Sequence, residues 1–233
     1  MVVPIILMSL GLITLVIFLW EKIRKYSVKE TLIKATASVL FIALAVYNCL
    51  AKGMTFYGMC VIIALVFGLL GDIFLDFKYV FKDQDNVFTY AGFCVFAIGH
   101  VFYLLGMYMT YYVPGNPINI IIPLVLGPLV GLGILLLEKP MKMNYGNMKP
   151  IVFIYASLLF MMAASAISLT ILHGFQNVTL ILLMSGGILF AISDLILSGT
   201  YFGEGKERPV DIITNSVTYY MAQYIIAFSI FFI

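Results

Sequence analysis

The chain is a succession of apolar runs, each about as long as a helix that crosses a bilayer. Eight such runs fall at residues 2–20, 33–51, 57–76, 90–111, 118–137, 151–172, 178–199 and 212–232. About 20 apolar residues, rising 1.5 Å each, span the hydrocarbon core. Backbone held there must satisfy its own N–H and C=O groups, and for segments of this length only a helix does so. Of the 233 residues, 63% are hydrophobic and 10% charged, whereas soluble domains carry roughly 25% charged residues. The expected fold is all-α: a polytopic membrane bundle of eight transmembrane helices, forming one integral domain over 1–233. Loops this short leave no room for a soluble domain.

Turn chemistry marks the breaks. PGNP at 114–117, LEKPMKMNYGNMKP at 137–150 and YFGEGKERP at 201–209 combine Pro and Gly with polar residues, which end helices and form turns. The basic residues alternate with the loops. Lys22, Arg24, Lys25, Lys29 and Lys34 surround the first loop. Lys78 and Lys82 lie at the third, Lys139, Lys142 and Lys149 at the fifth, and Lys206 and Arg208 at the seventh. Only Lys52 falls on an even-numbered loop, so twelve of the thirteen mark one side. By the positive-inside rule that side is cytoplasmic, and both termini are expected outside. The first run lacks a basic segment before it, so no cleavable signal peptide is expected. The expected location is the membrane itself, the cell (inner) membrane in a bacterium.

Several residue types read as packing. Cys49, Cys60 and Cys94 have no C-x-x-C pairing and read as small apolar side chains. Gly127 and Gly131 form a G-x-x-x-G in the fifth run, a signal for close helix contact. The abundant Phe and Tyr are expected to face lipid or the interface, Tyr111 and Tyr112 among them. The basic loops carry no interleaved aromatics, so nucleic acid is not an expected partner.

Against this background three ionisable residues stand out. Asp72, His100 and Asp194 lie inside apolar runs, where a charge costs roughly 2.5–3.5 kcal/mol on insertion scales. Such groups face the bundle interior and mark functional sites. Asp72 and Asp194 each precede the basic end of their run by about five residues, roughly 7 Å, and His100 lies roughly 15 Å deep on the same rise. The eighth run carries Asn215, Tyr219, Tyr220 and Gln223 through the same depths, and Lys34 opens the second. Together they would line a polar pocket open toward the basic side. Asp76 is expected at the membrane edge, solvated, and His173 exposed in an outer loop. Asn48 is expected to hydrogen-bond between helices.

Two carboxyl groups drawn together in a low-dielectric site cannot both ionise cheaply. One acid and one base result, the arrangement that hydrolytic acid–base catalysis uses. In this reading Asp72 and Asp194 are that pair, and His100 orients water or substrate. Lys34 would meet an anionic headgroup, and Asn215, Tyr219, Tyr220 and Gln223 would line the pocket. There is no G-x-S-x-G elbow and no H-E-x-x-H. Two histidines in the whole chain rule against a multi-histidine zinc centre, and no metal or cofactor is expected. The alternative reading is a proton-coupled lipid or small-molecule transporter, which also needs intramembrane Asp and His.

At these residues the chain resembles the YhhN-type family of membrane proteins, which has lysoplasmalogenase members. The resemblance lies in GDIFLD of the third run, FAIGHVFYL of the fourth, SDLILS of the seventh and YYMAQ of the eighth. Weaker matches are Lys34 and the stretch from Tyr155 to Met162. The resemblance implies an eight-span hydrolase without a cofactor, acting on a lysophospholipid among membrane lipids. It would cleave the vinyl ether bond of a lysoplasmalogen, or a related lysolipid, to a fatty aldehyde and a glycerophospho-headgroup.

Overall fold

A computed structural model describes residues 2–24, 27–203 and 208–233. Lys25 and Lys206, two of the basic set, lie outside the described residues. Eight long helices account for nearly all of the rest: α1 (Val2–Arg24), α2 (Val28–Ala51), α3 (Phe56–Val80), α4 (Asp85–Tyr111), α5 (Ile118–Leu136), α6 (Lys149–Leu172), α7 (Val178–Phe202) and α8 (Pro209–Ser229). Their starts follow local rules. Ser27, Thr55 and Asn177 cap α2, α3 and α7, each accepting a backbone N–H with its side-chain oxygen, as residues of that type do at helix starts. Pro150 and Pro209 sit in the first turns of α6 and α8, where the missing N–H costs nothing.

Helices α1 to α7 are long and apolar enough to cross a membrane, which makes the chain an integral multi-pass protein. Helix α8 is more polar, carrying Asp211, Asn215, Ser216, Tyr219, Tyr220 and Gln223. It packs against α7, α2 and α1 and buries Tyr219, Tyr220, Gln223 and Ile226. Its polar face is spent inside the protein, which is why hydropathy alone understates it.

Odd-numbered loops gather at one end of the bundle. Lys22 of α1 reaches Asp76 near the end of α3 at 3.0 Å, and Tyr201 of α7 donates to the Leu75 carbonyl at 3.2 Å. In the loop after α5, the Asn144 N–H donates to the Phe202 carbonyl at 2.9 Å, beside an isolated antiparallel bridge between Met143 and Gly203. At this end every helix except α5 runs two to five residues past the apolar run in its sequence. The opposite end shows no such excess: α2, α4, α6 and α7 begin or stop there where their runs do.

Burial separates the helices. α5 buries only Asn119, Pro123, Gly127 and Gly131. Its glycine pair lies against the α6 backbone: a Cβ at either position would meet Ser157. The G-x-x-x-G is thus a backbone-to-backbone contact, as expected. Asn48 is fully buried and donates to the Ala227 carbonyl at 3.2 Å, joining α2 to α8 as expected. Cys49 and Cys60 are buried free thiols. The expectation for the aromatics needs correction. Phe18, Phe41, Tyr57, Tyr103, Phe190 and Tyr220 are buried, and Tyr111 packs edge-on against Tyr57 rather than facing lipid. Interior rings fill space between helices that no hydrophobic force pulls together in lipid, where packing carries the association.

Candidate functional site

Asp72 and Asp194 occupy equivalent positions. Each lies eight residues before the last residue of its helix, about 12 Å from the basic-loop end. Asp72, on α3, looks toward α2 and α8. Its Oδ2 accepts from Ser38 at 3.0 Å and from Tyr219 at 2.9 Å. Its Oδ1 lies 3.3 Å from the Lys34 ammonium.

Asp76, one turn further along α3, is 1% exposed. Its Oδ1 receives both Lys34 at 3.1 Å and Lys22 at 3.0 Å. Lys22 also lies 3.4 Å from buried Glu30. Charges therefore alternate in sign along Glu30, Lys22, Asp76, Lys34 and Asp72, across three helices. Below them the Phe18 ring faces both ammonium groups, at 5.1 and 6.0 Å, and the Tyr220 hydroxyl donates to the Lys34 carbonyl at 3.0 Å. Asp76 is thus not at a solvated edge. α3 continues a turn past its apolar run, and α1 and α2 close lysines over it.

Asp194, on α7, has different company. The Tyr155 hydroxyl of α6 donates to its Oδ2. Among the described residues no cation pairs with it. One residue earlier, Ser193 ties α7 to α8: Asn215 Nδ2 donates to the Ser193 carbonyl at 2.8 Å. Asn215 also lies 3.0 Å from the Ser193 hydroxyl.

Both carboxyl groups line one cavity. Lys22, Lys34, Asn215, Tyr219, Tyr220 and Phe96 contribute to the same wall. Six of the eight residues singled out from the sequence are therefore brought together. Gln223 and His100 are not in the wall. Gln223 lies one turn past Tyr219, where it accepts from the Tyr103 hydroxyl at 3.1 Å. It spans α8 and α4 instead.

His100 is 1% exposed, and neither ring nitrogen has a hydrogen-bond partner among the described residues. Its ring is enclosed by Phe190, Tyr155 and Tyr103, with centroids 5.0, 5.4 and 6.2 Å away. Tyr155 thus contacts His100 with its ring and Asp194 with its hydroxyl. His173, at the other end, is half-buried, its Nδ1 lying 2.9 Å from the Leu169 carbonyl. It is less exposed than expected because the ring folds back against its own helix and the edge of Tyr111.

Reading the sequence missed three parts of this site. Lys22 looked like one more basic loop residue. Ser38 is a small hydroxyl in an apolar helix and carries no signal of its own. Tyr155 was one aromatic among many. A weak pointer to Lys22 existed: it ends a run of apolar residues on the same side as Lys34 and Asp76. Among the described residues no group of three His, Cys, Asp or Glu side chains is placed to hold a metal ion.

At the basic-loop end, outside the spans, Lys149 lies 2.8 Å from Glu138, and the Tyr145 N–H donates to Glu138 at 2.9 Å. The hydrogen bond from Lys149, followed by that from Tyr145, holds the Glu138 carboxyl below the usual glutamate range.

No curated protein and no solved structure matches the chain. The YhhN family model does, over residues 29–230. That stretch takes in both aspartates, His100, α2 from its second residue and all of α3 to α8, and by that match the chain belongs to the YhhN family.

Proposed function

We propose that this chain is an intramembrane hydrolase that cleaves the vinyl ether bond of a lysoplasmalogen or a related lysolipid. The products are a fatty aldehyde and a glycerophospho-headgroup. The observation that carries the reading is the shared cavity: carboxyl groups from α3 and α7 face one space beside two lysines. The family, which has lysoplasmalogenase members, supports it. In this reading the whole chain, 1–233, acts as one membrane domain. α8 spans the bilayer with the other seven helices, the basic-loop end is cytoplasmic and both termini are outside; in a bacterium that bilayer is the cell (inner) membrane.

The chemistry follows from the two environments. Asp72, whose Oδ1 faces the Lys34 ammonium, serves as the carboxylate that stabilises developing positive charge. Asp194, with a tyrosine and no cation beside it, donates the proton. Protonation of the outer vinyl carbon gives an oxocarbenium ion, whose charge Asp72 faces. Water adds to the cationic carbon and returns its proton to the Asp194 carboxylate, leaving a hemiacetal. Collapse of the hemiacetal moves the hydroxyl proton to the glycerol oxygen, breaks the C–O bond and frees the aldehyde. A site closed to bulk water strengthens each electrostatic part of this sequence. Lys34 meets the phosphate, Asn215, Tyr219 and Tyr220 shape the wall, and Gln223 positions α8 through Tyr103. His100, whose ring nitrogens have no partner among the described residues, orients a water or the substrate.

The test is aldehyde release from lysoplasmalogen by purified Asp72→Asn and Asp194→Asn beside the parent protein. Loss of about 10²–10⁴-fold in both, with folding intact, is expected for removal of acid–base groups. Unchanged turnover in both would end the assignment. The proton-coupled transporter would instead show lipid or solute flux in proteoliposomes with no chemical change.

A further inference from the structure

Asp194 stands in the wall of two cavities. One is the charged chamber described above. The other is a narrow crevice across the inner edge of α7, among α4, α5, α6 and α7. Its lining is almost all carbon, with Phe93, Ile134, Val152, Ala156 and Leu159 among the apolar residues. Asp194 and Leu197 are common to both cavities. The second cavity in turn shares Phe160 and Leu195 with an apolar groove between α5, α6 and α7. The three spaces therefore lie in series, with lysines at one end, a carboxyl group between the first two and hydrocarbon beyond.

Water suits only one end of the second cavity. A buried water needs two to four polar partners, and polar side-chain atoms stand in this wall only at Tyr155, Asp194 and Ser198, the other nine lining residues being apolar. Left empty, its lining would forgo the dispersion contacts that hold helices together in lipid. Hydrocarbon meets both conditions.

The geometry points to this second chamber as the seat of the hydrocarbon chain of a single-chain amphiphile whose polar headgroup lies in the charged chamber. The Tyr155–Asp194 pair then marks the junction of head and tail. The inference rests on the hydrolase reading only for the identity of the amphiphile. It deepens that reading, because the ether bond of an alkenyl lysolipid lies at its own head–tail junction, beside the proposed proton donor. It also makes the residues between Ala156 and Phe160 the ones that select chain length.

The test uses the full chain in detergent with a saturated 1-O-alkyl lysophosphoethanolamine that carries a diazirine partway along its chain. This probe has no vinyl ether and binds without reacting. Photolabel is expected on peptides containing Ile134, Ala156 and Leu159, and unlabelled ether lysolipid should compete it away. Label confined to the charged chamber, or spread evenly over lipid-facing α1 and α5, would overturn the inference.

A second arm fills the chamber with Ala156→Phe. Turnover of an octadecenyl lysoplasmalogen should fall about tenfold further than that of an octenyl analogue, the scale on which apolar pockets discriminate. An equal fall for both would overturn the chain-length assignment, and the wild-type label decides should Ala156→Phe not fold. Chamber labelling with no aldehyde from the parent protein would support the chain seat and sink the hydrolase reading. An active parent without chamber labelling would do the reverse.

Discussion

The surroundings of Asp72 and Asp194 differ more than their matching places on α3 and α7 suggest. Asp72 belongs to a string of five alternating charges with hydroxyl donors on its second oxygen. Asp194 belongs to an aromatic and aliphatic region, with one phenol as its partner. Breaking a buried ion pair by removing one member leaves an uncompensated charge and costs several kcal/mol. Removing a carboxyl charge that has no cation leaves nothing uncompensated. The first region is therefore bound to stability as much as to chemistry, whereas the second is free to be chemistry alone.

The largest expected effect lies on the second side. Asp194→Asn keeps an acceptor for Tyr155 yet loses the proton, so aldehyde release should drop about 10²–10⁴-fold at an unchanged thermal midpoint in detergent. A large fall in the midpoint would mean that the two regions are not separable. Next comes Lys34→Met. It strips Asp72 of its cation and leaves Asp76 with Lys22, and should destabilise by about 3–5 kcal/mol in a reversible unfolding assay. Asp72→Asn should cost less, because Lys34 still has Asp76. An equal cost would mean that Asp72, not Asp76, anchors the lysine.

On the apolar side packing replaces charge. Gly127→Leu pushes a side chain into the Ser157 carbonyl and should cost about 1–3 kcal/mol through overpacking, read by the same assay. Tyr155→Phe removes one hydrogen bond, about 0.5–1.5 kcal/mol net, and should lower kcat several-fold with KM little moved. The smallest effect is expected at the rim. The Glu138 carboxyl titrates lower in the folded protein than in an unfolded chain. Its contribution is present above the ordinary glutamate value and fades as the pH falls through the folded one. Amide protection in the loop of residues 137–148, measured against the intrinsic exchange rate at each pH, should fall on that acid limb and not at neutral pH.

Most of the architecture was legible because each signal had one physical meaning. A run of some 20 apolar residues reads as a helix, and the observed ends at the non-basic side match the runs closely. Helix α8 was found by its length despite its polar face. The site was legible where an ionisable residue interrupted lipid-compatible sequence, as at Asp72 and Asp194. It was not legible at Asp76 and Lys22, because residue counting places a charge along a helix but not beneath its neighbours. Tyr155 escaped for the opposite reason: an aromatic in an apolar run has many uses, and only the fold aims its hydroxyl at a carboxyl. Gln223 and His100 lie at the right depth, but rotation about the helix axis turns them toward Tyr103 and Phe190.

The extra turns at the basic-loop end have a bearing on where a lipid would meet this protein. If the apolar runs fill the hydrocarbon layer, those turns stand in the polar layer above it, which adds about 5–8 Å on each face of a bilayer. The two aspartates then sit about 6–8 Å under that collar, level with the first carbons of neighbouring acyl chains. A molecule sliding in from the leaflet would have to sink its linkage only that far, and no part of its tail would have to pass through water on the way.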